Sequence, residues 1–452
     1  MAFLAEGDLS VSGVTKDVFS TAEPKREIFT KSGAAFGPRP PLYSRIRFQL
    51  PGALLLAVGV PQLTTQGATW PGLASPSVNT AIGMIAAIGG GYYALRKISN
   101  LPNMREVGSV IPVFTASFLV LMAAFFLVGL EYSRTAVVAS YLITIVWFTG
   151  VLIAARRARK RQFVLVPVGD TRSVLGLPGA TWRVVDSPET LPTPCDAVVA
   201  DLHAQIPARW QLFLTSCALA GIPVYHHKDV REAITGRLEI EHLSENMLLS
   251  HNPLDGYSTL KRAIDFVTAA IAAVLLGPFL IAVAILVRLD SKGPALFRQE
   301  RLTRGGKTFA IYKFRTMAVD SARPGSRQDA ITVDGDPRIT RLGALLRASR
   351  IDELPQIINI LRGEMSWIGP RPEAVPLANW YQEQLPFYQY RHIVLPGISG
   401  WAQVNQGHVT DLEQVLGKLH YDFFYIKNLS IWLDILIVLK TVRIMLTGMG
   451  AR

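Results

Sequence analysis

Residues 263–287 read AIDFVTAAIAAVLLGPFLIAVAILV, a run apolar and long enough to cross a bilayer. Two features argue that it does not. Gly277-Pro278 stands in its middle, and proline removes a backbone donor and clashes with the preceding turn. Basic residues also lie on both sides, Lys261 and Arg262 before the run and Arg288 and Lys292 after it. A crossing would carry the basic C-terminal part of the chain outside, against the tendency of Lys and Arg to stay in the cytosol. A helix that enters, bends at Pro278 and returns keeps both ends inside, which predicts a re-entrant membrane helix over 261–288. On charge alone, the competing reading is a kinked helix that simply spans.

Upstream, four more apolar segments occupy about 48–64, 78–95, 110–130 and 136–155. Arg45 and Arg47 precede the first, Arg96, Lys97 and Arg105 separate the second from the third, and a basic run from Arg156 to Arg161 follows the fourth. This alternation predicts a unit of four transmembrane helices over 45–157 with both ends cytosolic. Residues 1–44 are polar and aperiodic and read as a disordered cytosolic tail. No short apolar core with a cleavage site opens the chain, so no signal peptide is expected. Half of the 452 residues are hydrophobic and the formal net charge is +12, which in a membrane protein points to anionic lipid. No aromatic-interleaved basic box supports nucleic acid as a partner. Two cysteines, Cys195 and Cys217, exclude a disulfide framework and fit plain thiols.

Between these regions, residues 162–248 alternate short β-branched runs (QFVLVPVGD, CDAVVADL, GIPVYHH) with helical stretches, the pattern of a small α/β domain with a parallel sheet. Its first turn, VGDTRS, lacks the GxGxxG dinucleotide pattern, so a structural or regulatory domain without cofactor is the simpler reading. The eight histidines show no metal-ligand spacing, and His226, His227 and His392 read as surface or core.

Downstream, Ser349-Arg350-Ile351-Asp352-Glu353-Leu354-Pro355-Gln356 carries the most chemical information. Pro355 fits the first turn of a helix, which places Asp352 and Glu353 at its start. Adjacent carboxylates can divide labour, one attacking phosphorus and the other helping to hold Mg²⁺; taken alone, the pair reads as an ordinary helix start. Many cations surround it in sequence: Arg298, Arg301, Arg304, Lys307, Lys313, Arg315, Arg338, Arg341, Arg371 and Arg391. Phosphates need such partners, although lipid headgroups and solvent account for some. Arg371 stands out because Pro370 and Pro372 stiffen its loop. A second Gly-rich loop, PGISGWAQVN (396–405), offers Gln403 and Asn405 to a pocket, with Trp401 as a stacking, interfacial or core residue. The last apolar stretch, Leu429 to Leu446, carries Asp434, Lys440 and Arg443 and reads as a helix on the membrane surface, with Asp434 and Lys440 on its polar face.

Taken in order, KRAIDF (261–266), the Gly277-Pro278 break, GPALFRQERLTRGGKTFAIYKFRTM (293–317), DPRITRLG (336–343), IDELPQ (351–356), LRGEMSWIGPRPE (361–373), PGISGWAQVN and YDFFYIKNLSIWLDI (421–435) closely resemble the bacterial sugar transferase family, the monotopic polyprenyl-phosphate phosphoglycosyl transferases. The whole chain resembles the large members: four membrane helices, a Rossmann-like domain, then a monotopic α/β catalytic domain, here 257–452. The resemblance implies transfer of a sugar 1-phosphate from a UDP-sugar to undecaprenyl phosphate with release of UMP, initiating exopolysaccharide, capsule or O-antigen synthesis. It implies that Asp352 is the nucleophile, forming an aspartyl-phosphosugar, and that Glu353 binds Mg²⁺. Lys313, Arg315, Arg371 and Pro372 then fall at the active-site rim, and Lys261, Arg262, Asp265, Gly277 and Pro278 in the re-entrant helix. The implied setting is the bacterial inner membrane, with the catalytic domain on the inner leaflet facing the cytosol; a homo-oligomer is admitted but not specified. Glucose or galactose 1-phosphate is the expected cargo. Two departures stand out: Gly277-Pro278 where some members have Ser-Pro, and Gln406-Gly407-His408 where many have Gly-Arg. A non-catalytic scaffold of a polysaccharide assembly complex and a flippase are the competing functions; the intact dyad opposes the first, and the scarcity of polar residues in the four apolar segments opposes the second.

Overall fold

The computed structural model describes residues 46–66, 76–99, 106–158, 161–189, 195–240, 257–318, 338–385, 387–406 and 411–447. The tail expected over 1–44 lies outside them, as do Gly407 and His408. Among the described residues, those up to 158 and from 231 onward belong to one unit, and those from 161 to 230 to another.

The N-terminal part of the larger unit is helical: α1 (Ile46–Leu54), a π-helical turn (Leu55–Gly59), α2 (Val60–Gln66), α3 (Pro76–Ser99), α4 (Glu106–Val128) and α5 (Arg134–Ala158). Three of these contain stretches long and apolar enough to cross a membrane: Pro76–Ile98, Ser109–Val128 and Arg134–Ala155. The fourth such helix is Tyr257–Asp290 rather than the first expected segment, which is helical from 46 to 66 with a π turn at Leu55–Gly59. That segment still packs on α5: Phe48 stacks on Trp147 at 5.6 Å, and the Trp147 indole donates to the Gln49 carbonyl at 3.0 Å. Phe148 of α5 stacks on Phe114 and Tyr92, closing the middle of the bundle. Phe126, Leu127, Val120 and Val146 point outward and are mostly exposed, the arrangement lipid rather than water rewards.

The C-terminal part of the larger unit is organised around α8, which follows α6 (Ala208–Leu219) and α7 (His227–Thr235) and runs Tyr257–Asp290. The helix continues without interruption through Gly277-Pro278, where the sequence predicts a break; Pro278 lies inside it. Both of its halves rest on the same body. Near its start, Arg262 donates to the Ile360 carbonyl at 2.6 Å and the Leu361 carbonyl at 3.2 Å. Further along, Ala269 packs with Phe309, Ile311, Ile357 and Ile360. Beyond Pro278, Val283 and Val287 pack with Phe314 and Leu346. The opposite side, with Val274, Leu275, Ile281 and Leu289, is largely exposed and apolar.

Against this helix lie an antiparallel hairpin, β5 (Leu296–Leu302) and β6 (Thr308–Phe314), then α9 (Arg341–Ala348), a 3₁₀ turn (Ile351–Gln356) and α10 (Ile357–Arg362). A short parallel pair follows, β7 (Ser366–Ile368) and β8 (Gly397–Ser399), with α11 (Val375–Gln384) and a 3₁₀ turn (Tyr388–Ile393) between its strands. Helices α12 (Trp401–Asn405), α13 (Leu412–Lys427) and α14 (Ile431–Thr447) complete the core. Asp434 of α14 does not lie on a polar face. It is 8% exposed and receives hydrogen bonds from Tyr257, Lys261 and Tyr425 at 2.7–2.8 Å, so it ties α14 and α13 to the start of α8. Lys440 likewise turns inward, over the Trp401 ring and onto Asn405 Oδ1. Residues 236–240 join this unit, Leu238 N–H bonding the His420 carbonyl, so the α/β region is shorter than the expected 162–248.

The smaller unit is a parallel sheet in the order β2-β1-β3-β4, with β1 Arg161–Leu165, β2 Ala180–Val184, β3 Ala197–Ala200 and β4 Val224–His226. Three of these strands are the expected runs. The edge strand β2, sequence ATWRV, was not among the expected runs; it alternates apolar and polar residues but spans only five positions and buries none of them. Cys195 and Cys217 are free and buried, and burial pushes their thiols up to about 11 and about 12.

Candidate active site

Lys313 is on β6, and β6 runs beside the 3₁₀ turn that carries Asp352 and Glu353. The expected helix start is thus a tight 3₁₀ turn that passes into the short α10. Arg350, immediately before it, adopts a left-handed conformation (φ 58°) that reverses the chain. Three cations meet one oxygen of Glu353: Arg371 Nη2 at 2.7 Å, Lys313 Nζ at 3.0 Å and Arg350 Nη1 at 3.9 Å from Oε1. Burial alone would raise the Glu353 carboxyl, but Arg371 and Lys313 hold it well below the usual carboxylate range. Burial, with Arg371 beside it, pushes Lys313 down to about 8. Asp352 differs from its neighbour. Its Oδ1 is buried without a hydrogen-bond partner, and burial, reinforced by the Glu353 charge, raises its carboxyl.

The loop bearing Arg371 is braced from behind. Arg391 donates to the Arg371 carbonyl at 2.9 Å and Arg301 to the Pro372 carbonyl at 2.8 Å. Arg391 is itself 4% exposed, paired with Asp422 at 2.9 Å and bonded to the Tyr388 hydroxyl at 2.8 Å. Glu373, at the end of the loop, pairs with Lys418. On the other side the loop touches PGISG through glycines. A Cβ on Gly397 would stand 2.1 Å from the Gly369 nitrogen, and one on Gly400 would stand 2.3 Å from the Gly369 carbonyl oxygen. Only glycine permits this approach, which the Gly369 N–H to Ser399 O bond at 2.9 Å fixes. A small recess lined by Pro370, Arg371, Pro372, Arg391 and His392 opens here.

The remaining expected site residues are placed differently. Arg315 donates to Ser291 Oγ at 3.0 Å and to the Val287 carbonyl, closing the C-terminal end of α8. Gln403 donates to Ile398 O and Asn405 to Trp401 O, both within their own loop. Trp401 is a core residue, 1% exposed, bonded to Gly236 O. Asp265 is buried with Oδ2 lacking a partner. The structure therefore joins Asp352, Glu353, Lys313 and Arg371 into one cluster, with Pro372 in its supporting loop. It adds Arg350, Arg391, Arg301, Glu373 and Asp422, whose parts the sequence did not assign.

A carboxylate ringed by fixed cations, next to a carboxylate with an unengaged oxygen, is an arrangement suited to phosphoryl transfer, and it lies in a unit with helices apolar and long enough to cross a membrane. The sequence profile described as bacterial sugar transferase matches residues 256–448. Over 416 residues the chain is 41% identical to the UDP-N-acetylgalactosamine-undecaprenyl-phosphate N-acetylgalactosaminephosphotransferase of Aeromonas hydrophila, covering 91% of this chain and 98% of that one. It is 39% identical over 235 residues to the UDP-glucose:undecaprenyl-phosphate glucose-1-phosphate transferase of Escherichia coli K12, covering 51% of this chain and 49% of the relative. It is 41% identical over 188 residues to the exopolysaccharide production protein PSS of Rhizobium leguminosarum bv. phaseoli, covering 40% and 93%. The chain belongs to the bacterial sugar transferase family and is a polyprenyl-phosphate sugar-1-phosphate transferase.

Proposed function

We propose that this enzyme transfers N-acetylgalactosamine 1-phosphate from its UDP-sugar to undecaprenyl phosphate at the cytosolic face of the bacterial inner membrane, releasing UMP. The choice of sugar rests on the relative that matches along nearly its whole length, which is named for that donor. Glucose is the second reading, since relatives matched over roughly the C-terminal half are named for it.

The observation that carries the chemistry is the division between the two carboxylates. Asp352 Oδ1 attacks the phosphorus bearing the sugar; the Oδ1–P bond forms, the bond to the UMP oxygen breaks, and UMP leaves with the electron pair. An oxygen of the polyprenyl phosphate then attacks the same phosphorus, the Asp352 bond breaks, and the carboxylate returns. Lys313 and Arg371 face the phosphates as fixed positive charge that needs no rearrangement during the reaction. All three cations at Glu353 meet Oε1, and the group stays ionised, so Oε2 suits a hard cation that takes few carboxylates. Mg²⁺ held there with the substrate phosphates would withdraw charge from the diphosphate. We assign Arg315 to anchoring α8 rather than to substrate.

The anchoring of both halves of α8 on one catalytic body supports a re-entrant rather than a spanning course. Release of UMP from UDP-N-acetylgalactosamine, UDP-glucose and UDP-galactose, with undecaprenyl phosphate and Mg²⁺, tests the reading. Faster release from UDP-glucose would move the sugar assignment to the second reading. Donor alone should add the mass of a phosphosugar to the peptide containing Asp352, and a peptide that never gains it refutes the covalent step.

A further inference from the structure

In the smaller unit, three metal-ligating side chains converge at the carboxyl edge of the parallel sheet. β3 ends at Ala200, which pairs in register with His226 at the end of β4. Asp201 therefore leaves the sheet beside His226 and His227, although it stands 25 residues before the histidine pair in the sequence. Asp201 Oδ1 lies 3.9 Å from Nδ1 of both His226 and His227, and one donor atom from each of the three lies within 4.8 Å of the others. His226 is 8% exposed and His227 2%. The Nδ1 of His227 is buried and has no hydrogen-bond partner, an unusual state for a buried imidazole nitrogen. Asp201 is held in place by backbone N–H groups, Asp170 donating to Oδ2 at 3.1 Å and His203 to Oδ1 at 3.2 Å.

We propose that Asp201, His226 and His227 form a binding site for a divalent transition metal of the zinc class. Two imidazoles and a carboxylate are the donors of open zinc sites, and such ligands bind at about 2.0–2.2 Å, so one ion can bridge donors up to roughly 4 Å apart. The two Asp201–histidine separations of 3.9 Å fall just inside that limit, and the three donors as a set lie within 4.8 Å, so side-chain rotation must draw them closer around an ion. Mg²⁺ and Ca²⁺, which take oxygen ligands, are disfavoured, so this site is chemically distinct from the dyad at residues 352–353. Binding at His226 Nδ1 replaces one long hydrogen bond, from the Leu202 N–H at 3.2 Å. His203, its ring centroid 4.5 Å from that of His226, is a candidate for a fourth ligand; otherwise that position stays open to water or a small ligand.

The test uses the full-length chain in detergent, purified without a histidine tag, stripped with chelator and titrated with Co²⁺ and with Zn²⁺. We expect visible Co²⁺ absorption saturating at one ion per chain, displaced by Zn²⁺, and a rise in melting temperature with Zn²⁺. His227→Gln and Asp201→Asn should each weaken Zn²⁺ binding at least roughly tenfold and remove the Co²⁺ spectrum. His203→Gln keeps the spectrum if the fourth position holds water and changes its intensity if His203 is a ligand, the site standing in both cases. Stripped His227→Gln should melt at the same temperature as stripped wild type, which separates lost binding from lost folding; if it melts lower, Asp201→Asn carries the comparison. A Co²⁺ spectrum that both variants leave intact, or wild-type Zn²⁺ binding no tighter than millimolar, overturns the proposal.

Discussion

Asp352 keeps a buried oxygen unengaged, while its neighbour Glu353 turns one oxygen to three cations. The contrast makes sharp demands on variants. Asp352→Asn keeps the shape and removes the proposed nucleophile, so UMP release should fall by at least about a thousandfold. Arg371→Lys keeps a charge but loses the planar fork, and kcat should drop on the order of a hundredfold, measured as initial UMP release at saturating donor. A third expectation concerns His392, beside Arg391 in the recess, whose imidazole burial pushes down to about 4. The folded chain binds this proton less readily than the unfolded one, so the stability it lends is complete above about pH 6.5 and is lost as pH falls toward 4. The loss should be at most about 1.4 kcal/mol per pH unit, and His392→Gln should flatten the acid side of a plot of melting temperature against pH. The dyad and Arg371 were legible because their chemistry is local: two acids in a row, one arginine between prolines. Arg391 and Asp422 were not. A buried ion pair between residues 391 and 422 has no signature until the fold brings the partners together.

Among the elements, α8 and α14 show where sequence patterns mislead. Asp434 and Lys440 interrupt an apolar helix and look like a wetted stripe, yet both point into the protein, because a buried acid is tolerated when hydroxyls and an ammonium enclose it. Removing one member of such a set leaves a buried charge unpaired. Asp434→Asn should destabilise the detergent-solubilised protein by on the order of 3 kcal/mol in a denaturant titration, and adding Lys261→Met should recover part of the loss. Pro278 misled in the opposite direction: it predicts an interruption, and the helix passes through it. Strand β2 was missed because its five residues alternate polar and apolar without the continuous apolar run that marks an inner strand such as β3.

Across the whole molecule, the order of parts was readable from hydropathy and motif order alone, since apolar runs and a parallel α/β pattern are properties of composition and period. The course of α8 through the membrane was readable only as a contest between length and flanking charge. Its contacts on both sides of Pro278 favour a return to the starting side. In a Cys195→Ala, Cys217→Ala background, Ser258→Cys and Lys292→Cys should both react with an impermeant thiol reagent in inverted vesicles and neither in intact cells; labelling of one from each side would establish a span.

Glu353 also works as a wedge. With its charge removed, the ammonium of Lys313 and the guanidinium of Arg371 would confront each other with no anion between them, and the two strands of chain that carry them would spread apart. A Glu353→Gln enzyme should therefore release its nucleotide donor too easily, even where the metal is supplied in excess. Aspartate at this position would restore the sign of the charge but fall a methylene short of closing the gap.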